Sequence, residues 1–152
     1  MSRTAPPPTA SPSPGGVRQP DRATRLRDAV ERDGPRCVWC RRECAVAEPA
    51  TTRRVTLVRG TTDHLVPRVK GGPSWLENEV LACPRCNAER GHTSPADWFA
   101  ECVRRGWEPD GAAVLRAQRS LQQAIDRRGG QRRARPYLAA QLRRLGREVA
   151  AA

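Results

Sequence analysis

An α+β fold built on a small core follows from three observations in the 152-residue sequence. Two C-x-x-C pairs, Cys37 with Cys40 and Cys83 with Cys86, enclose a stretch of short β-branched runs. Helical spacing precedes and follows that stretch. Aromatic residues are few, four Trp with one Tyr and one Phe, so a loop-rich segment of this kind needs an added constraint, and a structural metal is one of the few available.

Residues 1–20 are rich in Pro, Ser, Thr, Ala and Gly, with almost nothing to bury, and are expected to form a disordered tail. From Asp21 to about Asp33 the spacing of Leu26, Ala29 and Val30 is that of a short amphipathic helix, with Gly34-Pro35 as its stop. After the first cysteine pair, Val55 to Val58 is β-branched and apolar, Arg59-Gly60 reads as a turn, and Thr61 to Val66 reads as a second strand. Residues 67–78 read as a loop broken by Gly71-Gly72-Pro73, and Glu79 to Ala82 as a short strand. Pro84 to about Arg90 starts a helix directly after Cys83, with Gly91 at its end.

Ser94-Pro95-Ala96-Asp97 has the form of a helix start, with Ser as N-cap, Pro at the first helical position and Asp reaching back. Residues 106–111 break that helix. Two further helical patterns cover 112 to about 127 and about 135 to 149, and no internal repeat is visible.

The basic side comprises 27 Arg and one Lys, for a formal net charge of +12. Part of the Arg preference is what a GC-rich genome gives, but the excess of basic over acidic residues is separate. It stays strongly positive even with four thiolates and one zinc counted. A polyanion is the natural partner. No apolar run is long enough for a membrane span, and the N-terminus lacks a secretory h-region, so a cytoplasmic protein is expected.

Paired cysteines favour metal over disulfides in a reducing compartment. In C-x-x-C the intervening residues turn the chain so that both sulfurs reach one ion, and two pairs complete a tetrahedral thiolate shell. Cys37, Cys40, Cys83 and Cys86 are therefore the expected ligands of a structural Zn2+. Cys44 and Cys102 have no partner spacing and are expected not to be ligands.

The stretch Thr62-Asp63-His64-Leu65-Val66-Pro67, followed by Lys70-Gly71-Gly72, Trp75-Leu76-Glu77-Asn78, Val80 to Asn87 and Arg90-Gly91, closely resembles the HNH endonuclease family over about residues 37–91. The resemblance implies a ββα-metal core framing one divalent ion, Mg2+ or Mn2+. His64 would be the general base that activates water, Asp63 and Asn87 would ligate the catalytic ion, and Asn78 would fix the loop around the histidine. The chemistry needs such residues: a hard ion held by oxygen ligands stabilises phosphoryl and leaving-group charge, and an imidazole can take a proton near neutral pH. Because consecutive residues of a strand face opposite ways, the backbone must bend or end at Asp63-His64 for both to reach one phosphate.

Two positions depart from the family pattern. Asn87 stands where His is frequent, with His92 as a rival beyond Gly91, and an oxygen ligand there favours Mg2+ or Mn2+. Arg90 stands where Lys is common and could hold a phosphate. Arg85, Arg90 and Lys70 are the expected nucleic-acid contacts.

On this reading residues 21–106 form the nuclease domain with its zinc knuckles and 107–152 a basic helical extension. From Arg104 to Arg147 there are twelve Arg and three acidic residues, interleaved with Leu115, Leu121, Ile125, Leu138, Leu142 and Leu145. The expected activity is metal-dependent hydrolysis of DNA, with RNA as a further candidate substrate. Two rival readings stand beside it: a non-catalytic four-cysteine zinc module that binds nucleic acid, and a nuclease toxin using the same chemistry.

Overall fold

A computed structural model describes residues 18–46 and 57–152. The proline-rich tail up to residue 17, and Val55 with Thr56 of the first expected strand, lie outside the described residues. Helix α1 (Arg22–Asp33) begins at Asp21, whose carboxylate accepts from the Thr24 N–H at 2.8 Å, one of the orphan donors that every helix N-terminus must satisfy. It ends at Gly34, which has φ +89°, a backbone conformation that L side chains rarely adopt.

Two small sheets follow. Strands β1 (Cys44–Ala45) and β2 (Val58–Arg59) pair in parallel. Strands β3 (Thr61–His64) and β4 (Glu79–Ala82) pair antiparallel, with Asp63 opposite Val80 and His64 opposite Glu79. Arg59-Gly60 is therefore not a turn between paired strands. Arg59 closes β2, and Gly60, whose N–H donates to the Ala45 carbonyl, carries the chain from one sheet into the other. Leu81 Cδ1 lies 2.5 Å from where a Gly60 Cβ would stand, so the strands approach closely there.

The second strand also stops earlier than its apolar run, at His64 rather than Val66. Asn78 is the cause: its carbonyl still accepts from the Leu65 N–H in the register of the ladder, at 2.9 Å, but its side-chain Oδ1 takes the Val66 N–H, at 2.8 Å. That second bond turns the chain out of the ladder. The expected loop over 67–78 contains two single 3-10 turns, Arg68–Lys70 and Leu76–Asn78.

Helix α2 (Pro84–Arg90) follows Cys83 directly, α3 (Pro95–Arg104) starts from Ser94, and α4 (Gly111–Arg128) and α5 (Ala134–Ala151) form the C-terminal part. Ala113, Val114, Ala117 and Leu145 of the last two helices share one buried cluster with Cys37, Trp39, Leu65 and Leu81. The Asp110 N–H also donates to the Val38 carbonyl at 2.7 Å. Packing is thus continuous across position 106. No helix among the described residues is long and apolar enough to cross a membrane.

Candidate active site and metal cluster

Side chains from β3, β4, α1 and α2 converge at the end of the antiparallel pair. His64 is the last residue of β3 and its side chain retains 21 % exposure. Its Nε2 lies 3.1 Å from Ser74 Oγ and 3.4 Å from Glu79 Oε1, the residue directly across the ladder. Burial is the main effect on the imidazole and lowers its pKa. The Glu79 carboxylate opposes this, while Arg68, Arg25 and Arg22 reinforce it. Among the described residues none hydrogen-bonds Nδ1.

Glu79 is fully buried. Its Oε2 accepts from Arg25 Nε at 2.9 Å, and Arg25 is itself fixed by a bond to the Pro20 carbonyl at 2.6 Å. Arg32, about two helical turns further along α1, donates to the main-chain carbonyls of Leu76 and Glu79. Helix α1 therefore holds β4 through arginines that the helical spacing alone marked only as polar.

Asp63 faces the other way, as strand alternation requires. It is 2 % exposed. Oδ1 accepts from Arg90 Nη1 at 2.5 Å and Oδ2 from Trp39 Nε1 at 2.8 Å. Burial raises its carboxyl pKa against the pull of Arg90, and the net direction is upward. Arg90 is 1 % exposed and also donates to the carbonyls of His64 and Leu65, at 3.0 and 2.9 Å. Its guanidinium lies 5.6 Å from the centre of the Trp39 ring. The sequence reading put Arg90 at a phosphate; instead it turns inward and fastens α2 to the end of β3, because two strand carbonyls and one carboxylate there need donors.

Asn87 projects from α2 toward the same strand. Its side-chain Nδ2 donates to Thr61 Oγ1 at 3.0 Å and to the Thr62 carbonyl at 3.2 Å, and its side-chain Oδ1 makes no hydrogen bond to a described residue. Asn78 is fully buried and donates to the carbonyls of Val66 and Pro73. With the Val66 contact made on both backbone groups, it closes the loop that carries Ser74 beneath His64. Gly72 lies in that loop, and a Cβ there would stand 1.8 Å from the Val66 carbonyl oxygen. Arg85 and Lys70 are exposed, with Arg85 stacked 4.8 Å from the Trp107 ring centre. His92 is exposed beyond the end of α2.

The four cysteines meet at the start of α2. One sulfur each from Cys37, Cys40, Cys83 and Cys86 lies within 4.8 Å of the others, and Cys40 and Cys83 Sγ are 3.8 Å apart. A tetrahedral ion with metal–sulfur bonds of about 2.3 Å needs sulfur–sulfur edges of about 3.8 Å, so the cluster fits one metal. The Cys86 thiol, directed at Cys37, holds Cys37 down at about 5 and is itself pushed up. Cys83 caps α2, its sulfur accepting from the Cys86 N–H at 3.4 Å. Cys44 and Cys102 lie outside the cluster. Burial above all pushes them up to about 11 and about 12.

The site is thus a strand pair closed by a short helix, with four cysteines at the helix start and an Asp-His step at the strand end. Residues 37–93 match the model described as HNH endonuclease. The chain carries an HNH domain. Its two limits enclose both cysteine pairs, β3, β4 and α2, and leave the helices α3 to α5 outside. Neither curated proteins nor solved structures give a match. Most HNH domains belong to nucleases, and a nuclease-type role on nucleic acid is the coarse function the domain supports.

The outer helices nevertheless reach the HNH loop. Arg128 of α4 donates to Glu77 at 3.0 Å and stacks 4.4 Å from the Trp75 ring centre, and Arg133 donates to the Val69 carbonyl at 2.6 Å. These arginines brace the segment between His64 and Asn78, a use of basic residues that composition alone assigns to DNA.

Proposed function

We propose that the protein is a metal-dependent HNH endonuclease that hydrolyses phosphodiester bonds in DNA, with His64 as general base. The observation that carries the reading is the state of His64: a partly exposed imidazole at a strand end, held on one nitrogen and with no described partner on the other. A ring so held can accept a proton from water at its Nδ1, and a positioned base of this kind contributes roughly 10²–10⁴-fold to a hydrolysis. Zn2+ is the ion we assign to the four cysteines, in the closed tetrahedral form that serves structure rather than reaction. Arg85 and Lys70 are exposed cations suited to phosphate.

Mg2+ or Mn2+ would be held, on this reading, by Asp63 and Asn87. As arranged the pair does not form an open site for a hard ion. Both Asp63 oxygens are engaged and the carboxylate is charge-compensated by Arg90, which leaves the Asn87 side-chain oxygen as the single free donor. That observation favours the second reading, a non-catalytic four-cysteine zinc module that binds nucleic acid.

One assay separates the two. Purified protein is incubated with supercoiled plasmid in EDTA, Mg2+ and Mn2+, with His64→Ala alongside and zinc content measured for both. The nuclease reading expects metal-dependent conversion to open-circle or linear DNA, lost in His64→Ala at unchanged zinc content. Plasmid retained but uncut by the wild type in every metal would establish the binding module instead.

A further inference from the structure

We infer that Glu79, backed by Arg25, is a positioning residue that fixes His64 in the tautomer carrying its proton on Nε2, so that Nδ1 is the atom that accepts a proton from water. The inference rests on the nuclease reading for its consequence but not for its geometry. Glu79 Oε1 is buried and has no hydrogen-bond partner among the described residues, and the donor facing it is His64 Nε2 at 3.4 Å. A buried carboxylate oxygen left without a donor is unfavourable, so it draws the nearest N–H.

An Nε2–H lies between two acceptors, Glu79 Oε1 and Ser74 Oγ, the second of which already accepts from Arg68 Nη2 at 2.7 Å. The opposite tautomer would turn the Nε2 lone pair onto the carboxylate. Like would then face like in a low-dielectric site, so the Nε2–H form of the neutral ring is favoured. The other carboxylate oxygen cannot swing away, because Arg25 Nε holds it at 2.9 Å and Arg25 is anchored on the Pro20 carbonyl. Helix α1 thereby reaches the reacting imidazole through two buried side chains. Cross-strand register sets the contact, since His64 and Glu79 are direct partners in the β3–β4 ladder.

Arginine is the feature that makes the arrangement testable. It has donors only. In Glu79→Gln the amide must give its oxygen to Arg25 and present its NH2 to His64, which then has to accept on Nε2 and carry its proton on Nδ1. The substitution is nearly isosteric and inverts the tautomer.

The experiment uses the full-length, zinc-loaded chain with His92→Asn, which leaves His64 as the one histidine. Long-range 1H–15N spectra report which ring nitrogen is protonated. Wild type is expected as Nε2–H, Glu79→Gln as Nδ1–H, and the double variant Arg25→Met/Glu79→Gln as Nε2–H again, because its amide is free to rotate. In plasmid kinetics Glu79→Gln should lower kcat by about 10²–10⁴-fold, the range a positioned proton acceptor contributes, with KM changed less than about twofold and the double variant partly restored.

An Nδ1–H wild type, or an Nε2–H ring in folded Glu79→Gln, overturns the assignment. A flipped ring with unchanged kcat overturns Nδ1 as the base. The wild-type spectrum decides even where a variant does not fold. Absence of cleavage by the wild type sinks the nuclease reading alone, because the tautomer measurement needs no turnover.

Discussion

Replacing Arg90 by Ala should be among the most damaging single changes in the HNH domain. The guanidinium is 1 % exposed and makes three bonds: to Asp63 Oδ1, to the His64 carbonyl and to the Leu65 carbonyl. Removing one partner of a buried ion pair costs about 3–5 kcal/mol, because an uncompensated charge stays behind. Each orphaned carbonyl adds about 1–3 kcal/mol unless water reaches it. Allowing for water entering the space, we expect a loss of about 5 kcal/mol, a third or more of the stability of a domain this size. Urea titration of zinc-loaded protein, followed by Trp fluorescence, measures it as a shift in midpoint. Asp63→Leu/Arg90→Met should recover the part of the loss owed to the unpaired charge, since apolar groups of similar volume can replace a buried pair at little net cost, while the two carbonyls stay without a donor. A loss below about 1 kcal/mol for Arg90→Ala would refute the claim that this contact holds α2 to β3, and no recovery in the double variant would refute the charge argument.

Three further outcomes follow from single contacts. Chelation of the cysteine-bound metal, or Cys83→Ser, should unfold the domain in far-UV circular dichroism, because thiolate zinc binding contributes roughly 10–16 kcal/mol, as much as the whole fold; native spectra with the metal removed would count against it. Gly72→Ala should cost about 1–3 kcal/mol or more, as overpacking does, since the new Cβ meets the Val66 carbonyl oxygen; an unchanged thermal midpoint would contradict the loop geometry. Asp97, held below the ordinary carboxylate range first by the Ser94 hydroxyl and then by Arg144, contributes stability present above its unfolded pKa and lost as pH falls through the lower folded one. Its Asn variant should therefore differ from wild type at pH 7 and converge with it as acid protonates the carboxyl. The group is mostly exposed, so the gap should stay below about 1 kcal/mol and shrink in salt.

Local signals reached the helices and the cysteine cluster but not the pairing of the strands. Helix limits were legible because Asp21, Gly34, Ser94-Pro95 and Gly91 each serve a terminus by their own chemistry. The metal cluster was legible because C-x-x-C geometry is local, and two pairs can meet on one ion whatever lies between them. The end of β3 was not. Leu65 and Val66 continue an apolar run, and only the side chain of the distant Asn78 diverts the Val66 N–H. Nor could spacing reveal that Glu79 faces His64, since a shift of one residue in register would send Glu79 to the opposite side of the sheet. Arg25 and Arg90 were hidden by their residue type: long charged side chains are rarely fully buried, and both are buried here through carboxylates more than twenty residues away.

Helix α2 is where scaffold and chemistry become inseparable. It has seven residues, too few to persist alone, since isolated helices shorter than about 12–15 residues are marginal in water. Its start is fixed by Cys83 and Cys86 in the metal cluster and its end by Arg90 on the carbonyls of His64 and Leu65, with Asn87 bonding Thr61 and Thr62 between them. Every residue of β3 thus meets α2 or hangs on a neighbour that does. A metal on the cysteines would fix the orientation of α2, and α2 through Arg90 holds the end of β3 on which His64 stands. Weakening the cysteine cluster should disturb the His64 ring before it disturbs the end of α4 and the start of α5, where Leu121, Ile125 and Leu138 form a cluster separate from the one that Ala113, Val114 and Leu145 share with the cysteines. Under substoichiometric chelator, loss of the His64 ring signals should precede loss of amide protection around Leu121 to Ile125. Simultaneous loss of both would mean that α2 does not transmit the state of the metal to the histidine.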